Sequence, residues 1–311
     1  MARPQLLIDT DPGVDDALAI LMAHAHADIA GLCIAAGNVG LAHTVRNARV
    51  LADLLGMQVP IFAGCDAPLV RAADEDAAFV HGRDGFGDIG FPEPRAALSD
   101  EHAALALLRL TRERAHELTV VALAPLTNIA LAVRLDPTFP ARVPRLVVMG
   151  GAVTGRGNTS RVPAEFNIGF DPEAAHVVFS AFPDVQVVDW EASMRHAFDP
   201  TTFDGWLARG DERAAFLAQI SGTSRLYSLE RARRGVIAAD ALAMAVALDP
   251  GIVTRSERHA LAVELDGMLT RGATVVDWAD RRGAPAQADI VLEVENARLG
   301  AMVQGALGVE S

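Results

Sequence analysis

Leu6-Leu7-Ile8-Asp9-Thr10-Asp11-Pro12-Gly13-Val14-Asp15-Asp16 places four carboxylates within eight residues, directly behind an apolar run. The run predicts a buried strand, Pro12-Gly13 a turn, and the apolar spacing after Asp15 a helix, which is how an α/β fold begins. Two carboxylates about 4 Å apart repel by roughly 1 kcal/mol in water and about 4 kcal/mol at an effective dielectric near 20, so the cluster needs protons or a cation. No basic residue lies within it. An all-oxygen donor set suits a hard ion such as Ca²⁺ or Mg²⁺ better than Zn²⁺.

Short apolar runs alternate with longer amphipathic ones beyond this point. That pattern predicts an open, mostly parallel central sheet flanked by helices, a Rossmann-like α/β fold, with strands over 5–8, 30–36, 59–63, 118–123, 145–149 and 184–188. Helices are predicted over 15–26, 42–55, 100–115, 126–135 and 172–180. Ligands of such sheets bind beyond the carboxyl ends of the strands. Gly37-Asn38, Gly64 and Gly150-Gly151 fall at those ends and are expected to rim one cleft. Residues 193–248 read as mainly helical, a candidate lid with Arg231, Arg233 and Arg234 in its polar middle. The tail, with β-rich stretches at 261–265 and 273–276 and a helix over 296–305, reads as an edge extension of the sheet. No linker or repeat interrupts the chain, so 1–311 reads as one domain.

Asp-Pro recurs at Asp11, Asp136, Asp171, Asp199 and Asp249. Most of these predict helix caps, because Asp accepts from first-turn N–H groups and Pro fits the first helical position. Asp11 differs through its three neighbouring carboxylates at a strand exit.

A net charge of −13 argues against binding nucleic acid as a polymer. All 27 basic residues are Arg, which removes a phosphate-loop lysine and Schiff-base chemistry. Cys33 and Cys65 lack CxxC spacing and read as buried free thiols of a reducing compartment. Without a signal-peptide core or an apolar stretch of membrane-spanning length, the expectation is a soluble cytoplasmic protein that meets no membrane.

Three further stretches put polar groups among apolar ones. In Val162-Pro163-Ala164-Glu165-Phe166-Asn167-Ile168, Glu165 and Asn167 fall on one side of an extended chain, with Asn158 upstream, a donor–acceptor set suited to a polyol such as ribose. In Ala238-Ala239-Asp240-Ala241-Leu242-Ala243 a lone Asp opens an apolar helix, as an N-cap or as a ligand. His81-Gly82-Arg83-Asp84-Gly85-Phe86-Gly87 predicts a mobile or tightly turned loop with one His.

The opening Asp9-Thr10-Asp11-Pro12-Gly13-Val14-Asp15-Asp16-Ala17 resembles the signature of the inosine-uridine-preferring nucleoside hydrolases. Gly37-Asn38-Val39, His81-Gly82, Ala124-Pro125-Leu126-Thr127-Asn128-Ile129-Ala130, Met149-Gly150-Gly151, Glu165-Phe166-Asn167-Ile168 and Asp240 with Asp249-Pro250 follow in the same order. The resemblance implies the nucleoside hydrolase fold and Ca²⁺-dependent hydrolysis of the N-glycosidic bond of a small ribonucleoside, yielding free base and ribose. It implies Asp11, Asp16, Asp240 and the Leu123 carbonyl as metal ligands, and Asp11 as the base that deprotonates the attacking water. Asp15, Asn38, Glu165 and Asn167 would hold the ribose, with Asn158 and Met149 beside them. His81, Phe166 and Tyr227, the last thirteen residues before Asp240, would lie near the base or the 5′ end. A homo-oligomer, dimer or tetramer, is implied as well.

The chain departs from that family at two places. Broad-specificity relatives carry His and purine-specific ones Trp where this chain has Ala239, and the spacing from Asn158 to Glu165 is one residue longer, with Arg161 in the insertion. The substitution at Ala239 leaves a second reading, a Ca²⁺-stabilised nucleoside-binding protein whose activity is weak or lost. A dehalogenase-like phosphatase using Asp9 and Asp11 with Mg²⁺ would need a phosphate-binding lysine that the chain lacks.

Overall fold

A computed structural model describes residues 3–230 and 235–309. Its strands are β1 (Gln5–Thr10), β2 (Asp28–Ile34), β3 (Ile61–Ala63), β4 (Thr119–Ala122), β5 (Arg145–Met149), β6 (Val185–Val188), β7 (Val253–His259), β8 (Leu261–Val263), β9 (Thr274–Val276) and β10 (Ala288–Val294). Among the described residues, eight strands form one sheet in the order β3-β2-β1-β4-β5-β6-β10-β7, and β8 pairs with β9 in a small second sheet. Every pair of the large sheet is parallel except β10 with β7.

Strand periodicity divides the core. Leu6, Ile8, Leu32, Ile34, Val121, Val147 and Val188 point to one face, where the helices Val14–His26 and Ala239–Leu248 cover them. Leu7, Cys33, Val120, Leu146, Val148 and Val187 point to the other, under the helices Ala103–Glu113, Thr127–Leu135 and Pro172–Ala181. Burial on both faces explains why these strands read as continuous apolar runs. The helix Ala239–Leu248 is buried on all sides, and Asp240 is its one charged residue.

The chain steps outward from β1 through β2 to β3, then returns to place β4 on the other flank of β1. That reversal is the topological switch point, where the strand ends part and a crevice opens. Asp9 pairs with Ala122 there, so the carboxylate cluster after β1 and Leu123 after β4 leave the sheet side by side.

The predicted parallel strands all form, with β2 starting two residues early at Asp28 and the helix predicted over 100–115 starting at Ala103 behind a His102 cap. The edge extension is built differently from expectation. The stretches at 261–265 and 273–276 make the separate β8–β9 sheet, while β10 and the polar, exposed β7 extend the main one. Period-two polarity with few apolar residues suits an edge strand, and for that reason β7 gives no apolar signal. The 193–248 segment is helical at Pro200–Arg209, Glu212–Ile220 and Gly222–Glu230, whereas Arg231, Arg233 and Arg234 lie outside the described residues. Among the described residues, no helix is long and apolar enough to cross a membrane.

Candidate active site

Two helix N-termini meet at the switch point. Asp15 and Asp16 occupy the first turn of the helix Val14–His26, and Asp240 the first turn of Ala239–Leu248. The helix dipoles favour negative charge at both ends. Four groups tie Asp16: the Thr10 hydroxyl donates at 2.5 Å, the Gly13 N–H at 3.0 Å, the Asn38 amide at 3.1 Å and the Asp11 N–H at 3.3 Å. The Asp15 carboxylate accepts from the backbone N–H of Asp240, which joins the two helix starts.

Asp11 is not a helix cap, unlike Asp171 and Asp199, whose carboxylates accept from Ala174 and Thr202 N–H groups. It is buried, with Oδ2 accepting from the Asn38 N–H at 2.6 Å and Oδ1 buried without a hydrogen-bond partner among the described residues. A Cβ on Gly37 would stand 2.1 Å from that Oδ2, so the close approach requires glycine. Asp240 is not a cap either, since Ala238 holds the cap position.

Among the described residues, carboxylate oxygens of Asp15, Asp16 and Asp240 lie within 4.8 Å of one another, an acidic cluster able to hold a metal ion. Burial and the mutual charges of the four aspartates push Asp11 and Asp240 well above the usual carboxylate range, and Asp16 upward as well. Burial raises Asp15 to about 6. Such groups ionise together only against a cation. The donors are all oxygen and one, Asp11 Oδ1, is orphaned in the protein interior, so the residues fit a hard divalent ion. The geometric group contains Asp15 where the sequence reading has Asp11. Asp11 adjoins it, its N–H donating to Asp16 Oδ1 at 3.3 Å.

One cavity of about 330 Å³ opens above this cluster, lined by Asp15, Asn38, His81, Leu123, Met149, Asn158, Glu165, Phe166, Asn167, Tyr227 and Asp240. Asp11 and Asp16 lie beneath its floor, fully buried. Glu165 and Asn167 reach it by a route other than expected. Glu165 caps the short helix Phe166–Phe170 instead of lying on an extended chain, because its carboxylate captures the N–H groups of Asn167, Ile168 and Gly151 at 3.0, 3.2 and 2.9 Å. Burial outweighs these three donors and raises Glu165 to about 7. The Asn167 amide donates to the Leu123 carbonyl at 2.7 Å, and Asn158 accepts from the Phe166 N–H at 2.8 Å. Arg161, in the longer loop, turns away to Asp74.

His81 ends the short helix Ala78–His81 and precedes a tight turn in which Gly82, Gly85 and Gly87 are all at positive φ. Its Nδ1 accepts from the Val14 N–H at 3.0 Å and burial lowers it to about 4, so the ring is neutral with its proton on Nε2. Of the expected rim only Asn38 lines the cavity; Gly37 packs against Asp11, Gly64 against Asn128, Gly150 against Ile168 and Gly151 against Thr274. Cys33 is buried and Cys65 only partly, both as free thiols.

The outer wall escapes the sequence reading. Trp190, Phe203, Leu217 and Ile237 line it, and Phe79 meets Tyr227 with ring centroids 5.3 Å apart. Asp204 and Arg225, 21 residues apart, form an ion pair on the same wall. Amphipathic spacing marks those helices as packed but does not say which turns face a cavity. Asn128, inside one of the recognised motifs, proves structural: it donates to Asp9 at 3.0 Å and to the Ile34 carbonyl at 3.2 Å and accepts from the Cys65 N–H, lacing four strand exits together.

Comparison with known proteins agrees with this architecture. The family described as inosine-uridine preferring nucleoside hydrolase matches residues 6–301. An inosine-uridine preferring nucleoside hydrolase of Leishmania major is 36% identical over 311 residues, covering 97% of each chain. A non-specific ribonucleoside hydrolase of Escherichia fergusonii is 34% identical over 295 residues, with 94% of each chain covered. The solved structure of an inosine-guanosine nucleoside hydrolase superposes with a TM-score of 0.92 at 30% identity, with 100% of both chains covered. A carboxylate-floored cavity at the switch point of this sheet, together with near full-length similarity, shows that the chain belongs to the inosine-uridine preferring nucleoside hydrolase family and is an N-glycosyl hydrolase of ribonucleosides.

Proposed function

We propose that the protein is a calcium-dependent ribonucleoside hydrolase with Asp11 as its general base. The observation that carries this is the cavity of about 330 Å³, whose lining combines carboxylates and amides with aromatic and apolar side chains, which matches the two halves of a nucleoside. Asp11, Asp16, Asp240 and the Leu123 carbonyl would hold the ion. Bound there, Ca²⁺ would orient water and vicinal hydroxyls and ease deprotonation.

The protein's own groups divide the remaining work. Asp11 Oδ1, without a partner among the described residues, receives the proton of the attacking water. As water oxygen bonds to the anomeric carbon, the C–N bond breaks and its electron pair leaves with the base. Asp15, Asn38, Glu165 and Asn167 hold the ribose hydroxyls, with Asn158 and Met149 beside them. The buried carboxylates offset the positive charge that grows on the ring only in the transition state. His81, neutral at working pH, Phe166 and Tyr227 line the path of the base.

The chain is proposed to act as one 1–311 domain and as a homo-oligomer, in support of which the apolar residues Val162, Met268 and Leu269 are 70, 86 and 78% exposed. The two free thiols support a reducing, cytoplasmic setting, and release of base and ribose fits nucleoside salvage.

One observation favours a second reading, a nucleoside-binding protein: the Ala239 methyl lines the cavity where a proton donor would stand. Turnover of inosine, uridine and nitrophenyl riboside, with chelator and after adding back Ca²⁺, decides between them. Calcium-restored hydrolysis is the expected result. Nucleoside binding without hydrolysis of any of the three would overturn the enzymatic reading, and hydrolysis indifferent to chelator would overturn the metal.

A further inference from the structure

Resting on the ribonucleoside reading above, the geometry points to Asp204 and Arg225 as the pair that reads the hydrogen-bonding edge of the base. Both line the cavity, and Arg225 is the only Lys or Arg among the described residues that do. They belong to the helices Pro200–Arg209 and Gly222–Glu230, whereas the carboxylates of the floor open the helices Val14–His26 and Ala239–Leu248. Asp204 lies on the helix Pro200–Arg209, which follows the bridge between Phe198 and Val236. From that bridge the chain runs through Ile237 and Ala238 to Asp240 at the floor, a stretch of four residues that spans at most roughly 13 Å. A nucleoside laid along this wall with its ribose at Asp240 brings its base edge to the pair.

The pair brings a cationic donor beside an anionic acceptor to a wall that is otherwise largely apolar. Trp190, Phe203, Leu217 and Ile237 are apolar or aromatic faces suited to the flat of a ring. Ser221 and Ser224 donate their hydroxyl protons to the carbonyls of Ala218 and Ser221. Arg225 Nη2 donates to Asp204 Oδ1, and among the described residues neither side chain makes a further hydrogen bond. A guanidinium has five N–H groups and a carboxylate two oxygens, so the joined pair still presents a donor beside an acceptor. With side chains 42 and 47% exposed, the pair contributes little to stability, and exchanging it should not unfold the protein.

A donor next to an acceptor, in fixed order, matches one class of base. Inosine and uridine differ in ring system but share a lactam edge, a carbonyl oxygen beside a ring N–H. The carbonyl takes a hydrogen bond from Arg225 and the ring N–H gives one to Asp204. Adenosine and cytidine present an amino group beside a bare ring nitrogen, the reverse order, which faces donor with donor and acceptor with acceptor. A site that hydrogen-bonds its ligand rejects analogues that leave those groups unpaired. The lactam edge of a purine lies farther from the ribose than that of a pyrimidine, so selection is stronger between inosine and adenosine than between uridine and cytidine.

The test compares kcat/KM for the four nucleosides and for nitrophenyl riboside, whose leaving group has no such edge. The parent should prefer inosine over adenosine by about tenfold or more, in the range a paired polar edge supplies. Arg225→Met should reduce that preference to about threefold or less while nitrophenyl riboside stays within about twofold. The double exchange Asp204→Arg/Arg225→Asp keeps the ion pair between the helices and reverses its order, so it should shift preference toward adenosine. An unchanged ratio in the exchange, or a parallel fall for nitrophenyl riboside, would overturn the assignment. Dissociation constants of the same nucleosides for Asp11→Asn separate the two levels of inference. Absence of turnover by the parent, with tighter binding of lactam bases by Asp11→Asn, overturns the hydrolase reading alone, whereas equal affinities overturn the reading role of the pair.

Discussion

Asn38 holds Asp11 at both ends: its backbone N–H donates to Asp11 Oδ2 at 2.6 Å and its side-chain amide to the Asp11 carbonyl at 3.2 Å. The same amide reaches Asp16 at 3.1 Å, so one residue sets the spacing between two carboxylates. The arrangement commits Oδ2 and leaves Oδ1 as the reactive oxygen.

Asp11→Asn keeps an oxygen for the Asn38 N–H and removes the proton acceptor. It should lower kcat by about 10² or more, the usual contribution of a general base, with ribose affinity little changed. Single-turnover rates for parent and variant check this, and equal rates would remove Asp11 from the base role.

Removal of metal should lower the melting temperature. A ligand bound only by the folded state stabilises by about 2.7 kcal/mol at a hundred times its dissociation constant, a shift of several degrees. Asp16→Ala and Asp240→Ala should weaken the calcium response, and each should destabilise less in chelator than in calcium, because without the ion it relieves repulsion in the buried cluster. Scanning calorimetry with calcium and with chelator measures both, and a parent indifferent to calcium would dismiss the site.

Ala239 lies at the cavity wall with a methyl group that cannot donate a proton. Nitrophenolate departs without protonation, so nitrophenyl riboside should turn over at least about ten times faster than inosine or uridine, since leaving-group protonation is commonly worth about 10² to 10⁴. His81, Tyr227 or an Arg of the 231–234 stretch is expected to give partial assistance only, burial holding His81 down at about 4. Rates from pH 5 to 9 decide; comparable kcat values with an essential acid in the inosine profile would mean that another group protonates the base.

Burial raises Glu165 from 4.5 to about 7. The folded protein therefore binds this proton more tightly than the unfolded chain, and stability due to Glu165 is greatest at low pH and falls as pH rises from 4.5 toward 7. Glu165→Gln should lose stability at low pH relative to the parent and close part of that gap as pH approaches 8. Melting temperatures of both from pH 5 to 8 give the difference, and a gap independent of pH would show that the carboxyl does not titrate in that window.

Local patterns carried much of this architecture. Apolar runs of strand length, helix periodicity and turn chemistry sufficed for β1 to β6, and four carboxylates behind β1 announced the site before any contact was visible. Individual aspartates were ambiguous, because a cap and a ligand look alike in sequence: Asp171 and Asp199 are caps, while Asp11 and Asp240 are not. Only tertiary structure brought Asp240 to Asp15 and Asp16, since two helix starts more than two hundred residues apart meet solely through sheet order. The same holds for the β10–β7 edge, the aromatic wall and the Asp204–Arg225 pair. Periodicity says that a residue packs, whereas the partner it packs against depends on chain crossings that no local window contains.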